Sequence, residues 1–526
     1  GSFTPVAESR FTETREQAGQ PLPFAGRSDS KSRTNYGRGH FSAVFDPTPK
    51  HTAGFDIEYT ERSTHMPTLS RTTLGQTQSD SRYRQHMDGN TLTATANYIW
   101  KIDTLGSQFK LIADYTRYTS DGDNSYHTTT CAPGTLRDSL YESATGSVYD
   151  ILTADAGLTR KLPHGLTLRA GLRYTRNDMA DKSRYAAQTQ GTWLALPEYS
   201  YDQHYTEQIG AAYASLEYSA GRWELSAGLR GEYTSVASQA FGRSYFGLFP
   251  NVSVSRALNA LRTWLLVAQW SRNIERPAFP ALNPARIRIS DYSWQSGNPS
   301  LRPTYIHRFS LTAVWKYRYT LTVGGNLHHD LIREIAHRDA TAPDAVYIRP
   351  ENHYTENHWF VAASVPAKIT RWWNLSVNAV GVMQRIRLNS TDSPATHYLM
   401  FADATCSFTL PAGFFAEAVY RAQSRLYSGN SEVGPRHTLS ATVKKQLFGK
   451  RLTLFCTLSN ITGCDWEFAS LTDGMRRTID TGQAWSGRLW KVGAAWNFRT
   501  GKKFRARTVE SAAETQRKRL VKSTEQ

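Results

Sequence analysis

Apolar and polar residues alternate with a period of two along most of this chain, and the alternation is cleanest over residues 166–175. Leu166, Leu168, Ala170, Leu172 and Tyr174 fall on one side, and Thr167, Arg169, Gly171, Arg173 and Thr175 on the other. Successive side chains of a strand point to opposite faces, so the pattern predicts a strand with one apolar and one wet face. Residues 91–100 repeat it, with Leu92, Ala94, Ala96, Tyr98 and Trp100 against Thr91, Thr93, Thr95 and Asn97. It returns at Trp223, Leu225, Ala227, Leu229 and Tyr233 against Glu224, Ser226, Gly228, Arg230 and Glu232. At 305–315, Tyr305, His307, Phe309, Leu311, Ala313 and Trp315 oppose Ile306, Arg308, Ser310 and Thr312, and after a tight turn at Tyr317-Arg318 the alternation resumes through Tyr319, Leu321 and Val323.

These strands pair into hairpins with short turns, among them 102–106, 161–165, 410–413 and 447–450. Between hairpins lie long polar connections, to about residue 88, from about 119 to 146, and from 273 to 304. Short turns fall on one side of the up-and-down path and long connections on the other. Outer-membrane barrels segregate short periplasmic turns from longer extracellular loops, whereas a soluble sandwich has no reason to. The two arginines Arg169 and Arg173 on one inner face point the same way, because in a dry core each would need a partner. The predicted fold is all-β, a transmembrane antiparallel up-and-down β-barrel with long extracellular loops and short periplasmic turns. About 19 strands are legible, an odd number that leaves the first and last running in the same direction. Plugged transporters have about 22 strands, so the expectation is a C-terminal portion lacking a plug and roughly three strands. Residues 1–36 are expected as an outer loop or truncated segment, 37–498 as the barrel, and 499–526 as a basic periplasmic tail, solvated and partly disordered.

Trp270-Ser271-Arg272-Asn273-Ile274-Glu275-Arg276-Pro277, then Leu282-Asn283-Pro284, then Gly297-Asn298-Pro299-Ser300-Leu301-Arg302-Pro303 resemble the signature region of the outer-membrane β-barrel family of Bacteroidota. That family is similar to TonB-dependent receptors, whose full-length members carry an N-terminal plug. The resemblance implies a protein that binds a substrate with its long loops and lumen and passes it inward when TonB pulls the plug. The chain shows neither a TonB box nor a plug, so TonB is expected as a partner only if a plug precedes it. The last strand, Lys491-Val492-Gly493-Ala494-Ala495-Trp496-Asn497-Phe498, resembles the β-signal of bacterial outer-membrane proteins. Lys491, Gly493, Trp496 and Phe498 carry that likeness, which implies recognition by the barrel-assembly machinery.

Composition adjusts this picture in a few places. No run of eighteen or more apolar residues is present, which removes transmembrane helices but not strands that turn only alternate residues to lipid. Aromatic residues make up 12% of the chain, which suits aromatic girdles at both interfaces. The net charge of +17 would suggest nucleic acid in a soluble protein. Here the basic residues spread over wet faces, loops and tail, so outer-membrane lipid and lipopolysaccharide headgroups are the expected partners and nucleic acid is not. The residues Arg272, Arg276, Arg286, Arg288, Trp294 and Arg302 are candidate ligand contacts at the mouth, where clustered cations attract an anionic solute; headgroup and loop-packing contacts are the plainer reading. His328, His329 and Asp330 could ligate a metal at a strand end, but a surface histidine pair at a loop base is commoner. The four cysteines have no zinc-type spacing, and a Cys456–Cys464 bridge across a strand end is one option in an oxidising compartment. No catalytic or cofactor motif is found. No leader peptide is visible, so a processed, truncated or partial chain is expected. Two further readings stay open: a passive pore or partner-binding barrel without energy coupling, and a secreted soluble β-protein binding acidic glycans. The substrate is unidentified.

Overall fold

Backbone groups inside a bilayer have no water to bond, and a sheet satisfies them only by laddering each strand to its neighbours. In the computed structural model the 27 strands of the described residues belong to one sheet. The structure describes every residue except 1, 18, 240, 285, 291, 340, 341, 343, 465, 473, 483–487, 499–508 and 521–526; for 2–11, 198, 288–290 and 481–482 only the backbone is described. The main ladder is antiparallel and follows chain order. Gln20–Thr48 pairs with His51–Leu74, which pairs with Thr77–Lys101, and so on through Leu166–Thr189, Trp264–Glu275 and Thr304–Trp315 to Leu452–Ser459 and Leu489–Trp496.

The two faces are inverted relative to a water-soluble fold. The predicted apolar row of Leu166–Thr189 is exposed, Leu172 at 65% and Tyr174 at 40%. Leu92, Tyr98 and Trp100, and Leu225, Leu229 and Tyr233, are exposed in the same way. Buried instead are Thr95, Asp114, Thr116, Thr153, Thr175, Asn177 and Thr234, which line the opposite face. Apolar surface left outside is stable only in an apolar solvent, so the outward rows mark the surface that meets lipid. The inner arginines each have a partner: Arg169 donates to Glu217, and Arg173 to Asp155 at 2.8 Å.

Two expectations are corrected. The described residues hold 27 strands, not about 19, because the polar connections contain strands of their own, such as Thr192–Ala195, Ile287–Ser290, Ser293–Gln295 and Met475–Gly482, and because the wall strands run on into them. His51–Leu74, Thr77–Lys101, Gln108–Ala132 and Thr135–Lys161 each hold 24 to 27 residues, whereas a tilted strand needs only about 9–11 to cross the bilayer. Above the lipid both faces of a strand can be polar, and the period of two disappears. The described part of 1–36 is likewise strand, Ser2–Gln17 and the first half of Gln20–Thr48, not an outer loop. The sheet does not close into a full cylinder among the described residues. Ser2–Gln17 bridges Gln20–Thr48 to Met475–Gly482 at the extracellular rim. Below that bridge, the second edge of Leu489–Trp496 and that of residues 37–48 pair with no strand among the described residues.

The predicted assembly-signal residues, in and just after Leu489–Trp496, divide by face. Trp496 and Phe498 are exposed on the outward side, while Lys491 pairs with Thr457 and Gly493 with Phe455. A Cβ on Gly493 would stand 2.3 Å from the Phe455 ring, so the ring lies over a position only glycine leaves open.

Candidate functional site

The lumen is filled from above by the connection between Trp264–Glu275 and Thr304–Trp315, the stretch that carries the family-like motifs. Arg276, the last arginine of the first motif, anchors its entrance. Its guanidinium donates to Glu232 Oε2 at 2.6 Å and Thr234 Oγ1 at 2.9 Å, and lies 3.9 Å from Glu207. Glu232 also accepts from Arg230 at 2.5 Å. Glu207 is 1% exposed, a depth at which a carboxylate persists only when paired and hydrogen-bonded.

Beyond Pro277 the chain turns inward through a short helix, Phe279–Leu282. Phe279, Leu282 and Leu301 are fully buried against Tyr149, Ile151, Met179, Tyr205 and Val236 of the inner wall. This is the larger of two buried apolar clusters among the described residues, and it lies inside the barrel rather than between layers. The two later motifs bind each other. The Gly297 amide donates to Asn283 O at 2.9 Å and the Asn298 amide to Ala281 O at 2.7 Å. A Cβ on Gly297 would meet Asn283 O at 2.1 Å, so glycine is what permits the close approach. Asn298 Nδ2 reaches Pro350 O at 3.0 Å, and Asn352 exchanges two hydrogen bonds with the Arg302 backbone, both at 2.9 Å. The tip hairpin of Ile287–Ser290 and Ser293–Gln295 is clamped from the rim. Arg477 donates to Ser293 Oγ at 2.7 Å while gripping Glu13 at 2.8 and 2.9 Å.

The six candidate ligand contacts do not form one cluster. Arg276 is the buried anchor just described. Arg272 shares the outward face with Trp270 and lies 5.0 Å from the Tyr305 ring. Arg286 lies 5.1 Å from the Tyr199 ring, and Tyr199 stacks on Trp294 with centroids 6.5 Å apart. Arg302 reaches Asp330 at 2.6 Å with its side chain 62% exposed. Arg288 lies in Ile287–Ser290, and its side chain is outside the described residues. His328 donates from Nδ1 to the Glu356 backbone oxygen at 2.8 Å, whereas His329 is exposed beside Tyr354 and Asp330 takes Arg302. Among the described residues no group of three His, Cys, Asp or Glu is placed to hold a metal. Nor does a disulfide join Cys456 to Cys464 there.

Residues 509–520 depart from the solvated tail suggested by their charge. Asp114 Oδ2, on the inner wall, accepts the amides of Ala512 at 2.7 Å and Ala513 at 3.1 Å. Arg519 Nη1 donates to Glu207 at 2.5 Å and its Nε to Pro277 O at 3.0 Å. Glu207, Asp114 and Phe279 were not singled out from sequence, Leu301 entered only as part of a motif, and Arg519 only as part of a basic tail. Glu207 and Asp114 stand on strands far apart in the chain, and only their placement on the wet face was there to read.

A wall apolar outside and charged inside, with a surface connection folded into its bore, defines an outer-membrane β-barrel. The model of the outer membrane protein beta-barrel family matches residues 100–493, and the chain belongs to that family. It is thus a multi-pass barrel of the Gram-negative outer membrane. Its fold is similar to that of the ferric-catecholate import receptor Fiu from E. coli K12, with TM-score 0.52, 8% identity, and 90% of this chain and 81% of Fiu covered. It is also similar to the copper transporter OprC, with TM-score 0.53, 10% identity, and 92% and 81% covered. No curated protein matches the chain.

Proposed function

We propose that this chain is the barrel of a Bacteroidota outer-membrane receptor that binds a small solute at its extracellular end and passes it inward. The observation that carries this reading is the filled bore: the connection 276–303 is packed into the lumen by a buried apolar cluster and anchored by Arg276 on Glu232. A passive pore needs an open bore, whereas a receptor needs one that ligand binding can rearrange. Arg286, Arg288, Trp294 and Arg302 would meet the solute, with Tyr199, Trp294 and Arg286 offering a platform of stacked rings and a cation. Arg272 would meet lipopolysaccharide headgroups. TonB would act only where a plug precedes this chain, and the barrel-assembly machinery would read the strand holding Lys491, Gly493, Trp496 and Phe498. An anionic solute suits the mouth. Fiu and OprC, named for ferric catecholate and copper, supply the first two solutes to try.

The test is uptake of ferric-catecholate complexes, copper and acidic oligosaccharides by a transporter-deficient strain expressing the protein, beside thermal shifts of the purified barrel. The expected result is saturable uptake of one solute, weakened about tenfold by Arg286→Ala with Trp294→Ala, since such contacts are each worth roughly 0.5–2 kcal/mol. Steady, non-saturable leakage of every small solute would make the protein a pore instead.

A further inference from the structure

The inner wall holds two buried carboxylates that the transmembrane strands alone leave short of donors. Asp114 is 1% exposed; Thr95 supplies one bond to its Oδ1 at 2.5 Å, and the bonds to its Oδ2 come from Ala512 and Ala513. Glu207 takes Asn177 at 2.8 Å from the wall and its shortest bond from Arg519. Both needs are met by one segment of the chain's own C-terminal part. That segment climbs the bore. Glu510 pairs with Lys110 at 2.7 Å, near the short turn at 102–107. Gln516 Oε1 accepts from Asn177 at 3.3 Å and from Arg519 at 2.8 Å. At the top, the Arg519 guanidinium lies 4.3 Å from the Phe279 ring, and Leu520 packs on the apolar cluster under the inward connection. Ala513 is fully buried and Arg519 nearly so, which an incidental surface contact would not produce.

We propose that residues 509–520 are a tethered plug: the lumen wall carries a site for a short basic peptide, the chain fills that site with its own C-terminal segment, and solute passes only after the segment leaves. The site selects a pair of adjacent backbone amides at Asp114 and a guanidinium one turn and a half further on at Glu207. It stacks beneath the inward connection, so the bore has two closures in series, one entering from each end. The inference rests on the reading that solute crosses this lumen, but docking of the segment can be measured with no solute present.

The experiment uses the full chain with its four native cysteines changed to serine, in outer-membrane vesicles. With Lys110→Cys and Glu510→Cys, a short bis-maleimide is expected to join the two positions. In a separate protein carrying Thr116→Cys, buried one step along the same inner face from Asp114, a small charged thiol reagent is expected to label slowly. Arg519→Glu, or removal of 509–526, should raise that rate at least about tenfold, since the position then no longer waits on local opening. Heat-modifiable gel migration shows which variants remain folded, and the truncation leaves the last strand whole. Absence of the cross-link in folded protein, or equal labelling with and without the segment, overturns the plug while leaving the receptor reading untouched.

Discussion

Arg276 does at the scale of one side chain what the whole inner wall does by repetition: it lets carboxylates stay charged where water is scarce. Its two partners come from different strands, Glu207 and Glu232, and each keeps a second cation, Arg519 and Arg230 respectively. Breaking a buried pair by removing one member costs about 3–5 kcal/mol, and the remaining cations place Arg276→Ala near the lower end, about 3 kcal/mol. The expected outcome is a lower guanidinium midpoint for the barrel refolded in lipid vesicles. Arg276→Lys should recover only part of the loss, because a single ammonium can replace Nη2 at Glu232 and Thr234 but not, at the same time, the Nε that faces Glu207 at 3.9 Å. Arg302→Ala, at a pair in which Asp330 is buried but Arg302 is 62% exposed, should cost less, about 1 kcal/mol. Equal midpoints for Arg276→Ala and Arg302→Ala would mean the buried network does not hold the entrance of the connection.

At the scale of the element, Leu166–Thr189 shows where a strand is legible and where it is not. Over 166–175 the apolar row meets lipid and the polar row meets the bore, and both rows can be read from alternation alone. Leu172→Arg should therefore cost about 2–4 kcal/mol if the residue lies near the bilayer midplane, and less toward the interfaces. Unfolding in thin-bilayer vesicles checks this, with the inward Thr175→Ser expected to change little. From Arg176 to Thr189 the same strand continues, but Arg176 and Asp178 form an exposed ion pair at 2.7 Å on the outward side while Asn177, Asp181 and Ser183 are buried on the inward side. With polar residues on both faces no period survives, and this stretch read as connection. The first half of Gln20–Thr48 was obscured for the same reason. The candidate site was legible only in its motifs: Arg276 could be named from Trp270 to Pro277, but not Glu207, whose role depends on the pairing of Asn177 with Glu207 across two strands. The segment 509–520 has no amphipathic period at all. Its fit is to two carboxylates that only the folded wall brings within reach.

At the scale of the whole molecule, the strand lengths make a claim about topology that alternation by itself does not. Gln108–Ala132 and Thr135–Lys161 have 25 and 27 residues, joined by a two-residue turn at Pro133 and Gly134. Lipid-facing apolar residues on this hairpin, such as Leu111, Leu152 and Leu158, lie near the opposite end, beside the short turns at 102–107 and 162–165. The polar half above them is roughly 45 Å of strand at about 3.3 Å per residue, so Gly134 should stand well outside the membrane. A Cβ at Gly134 meets nothing within 4 Å, which leaves room for an insertion. An epitope placed there should bind antibody on intact cells, while one placed at His164-Gly165 should bind only after the outer membrane is permeabilised. If the two epitopes behave alike, the hairpin does not cross the membrane once in each direction, and the assignment of long polar strands to the outside falls. If they differ as expected, the bore's two closures acquire sides: the connection 276–303 closes it from the medium and residues 509–520 from the periplasm. A solute would then have to displace the first before the second can matter.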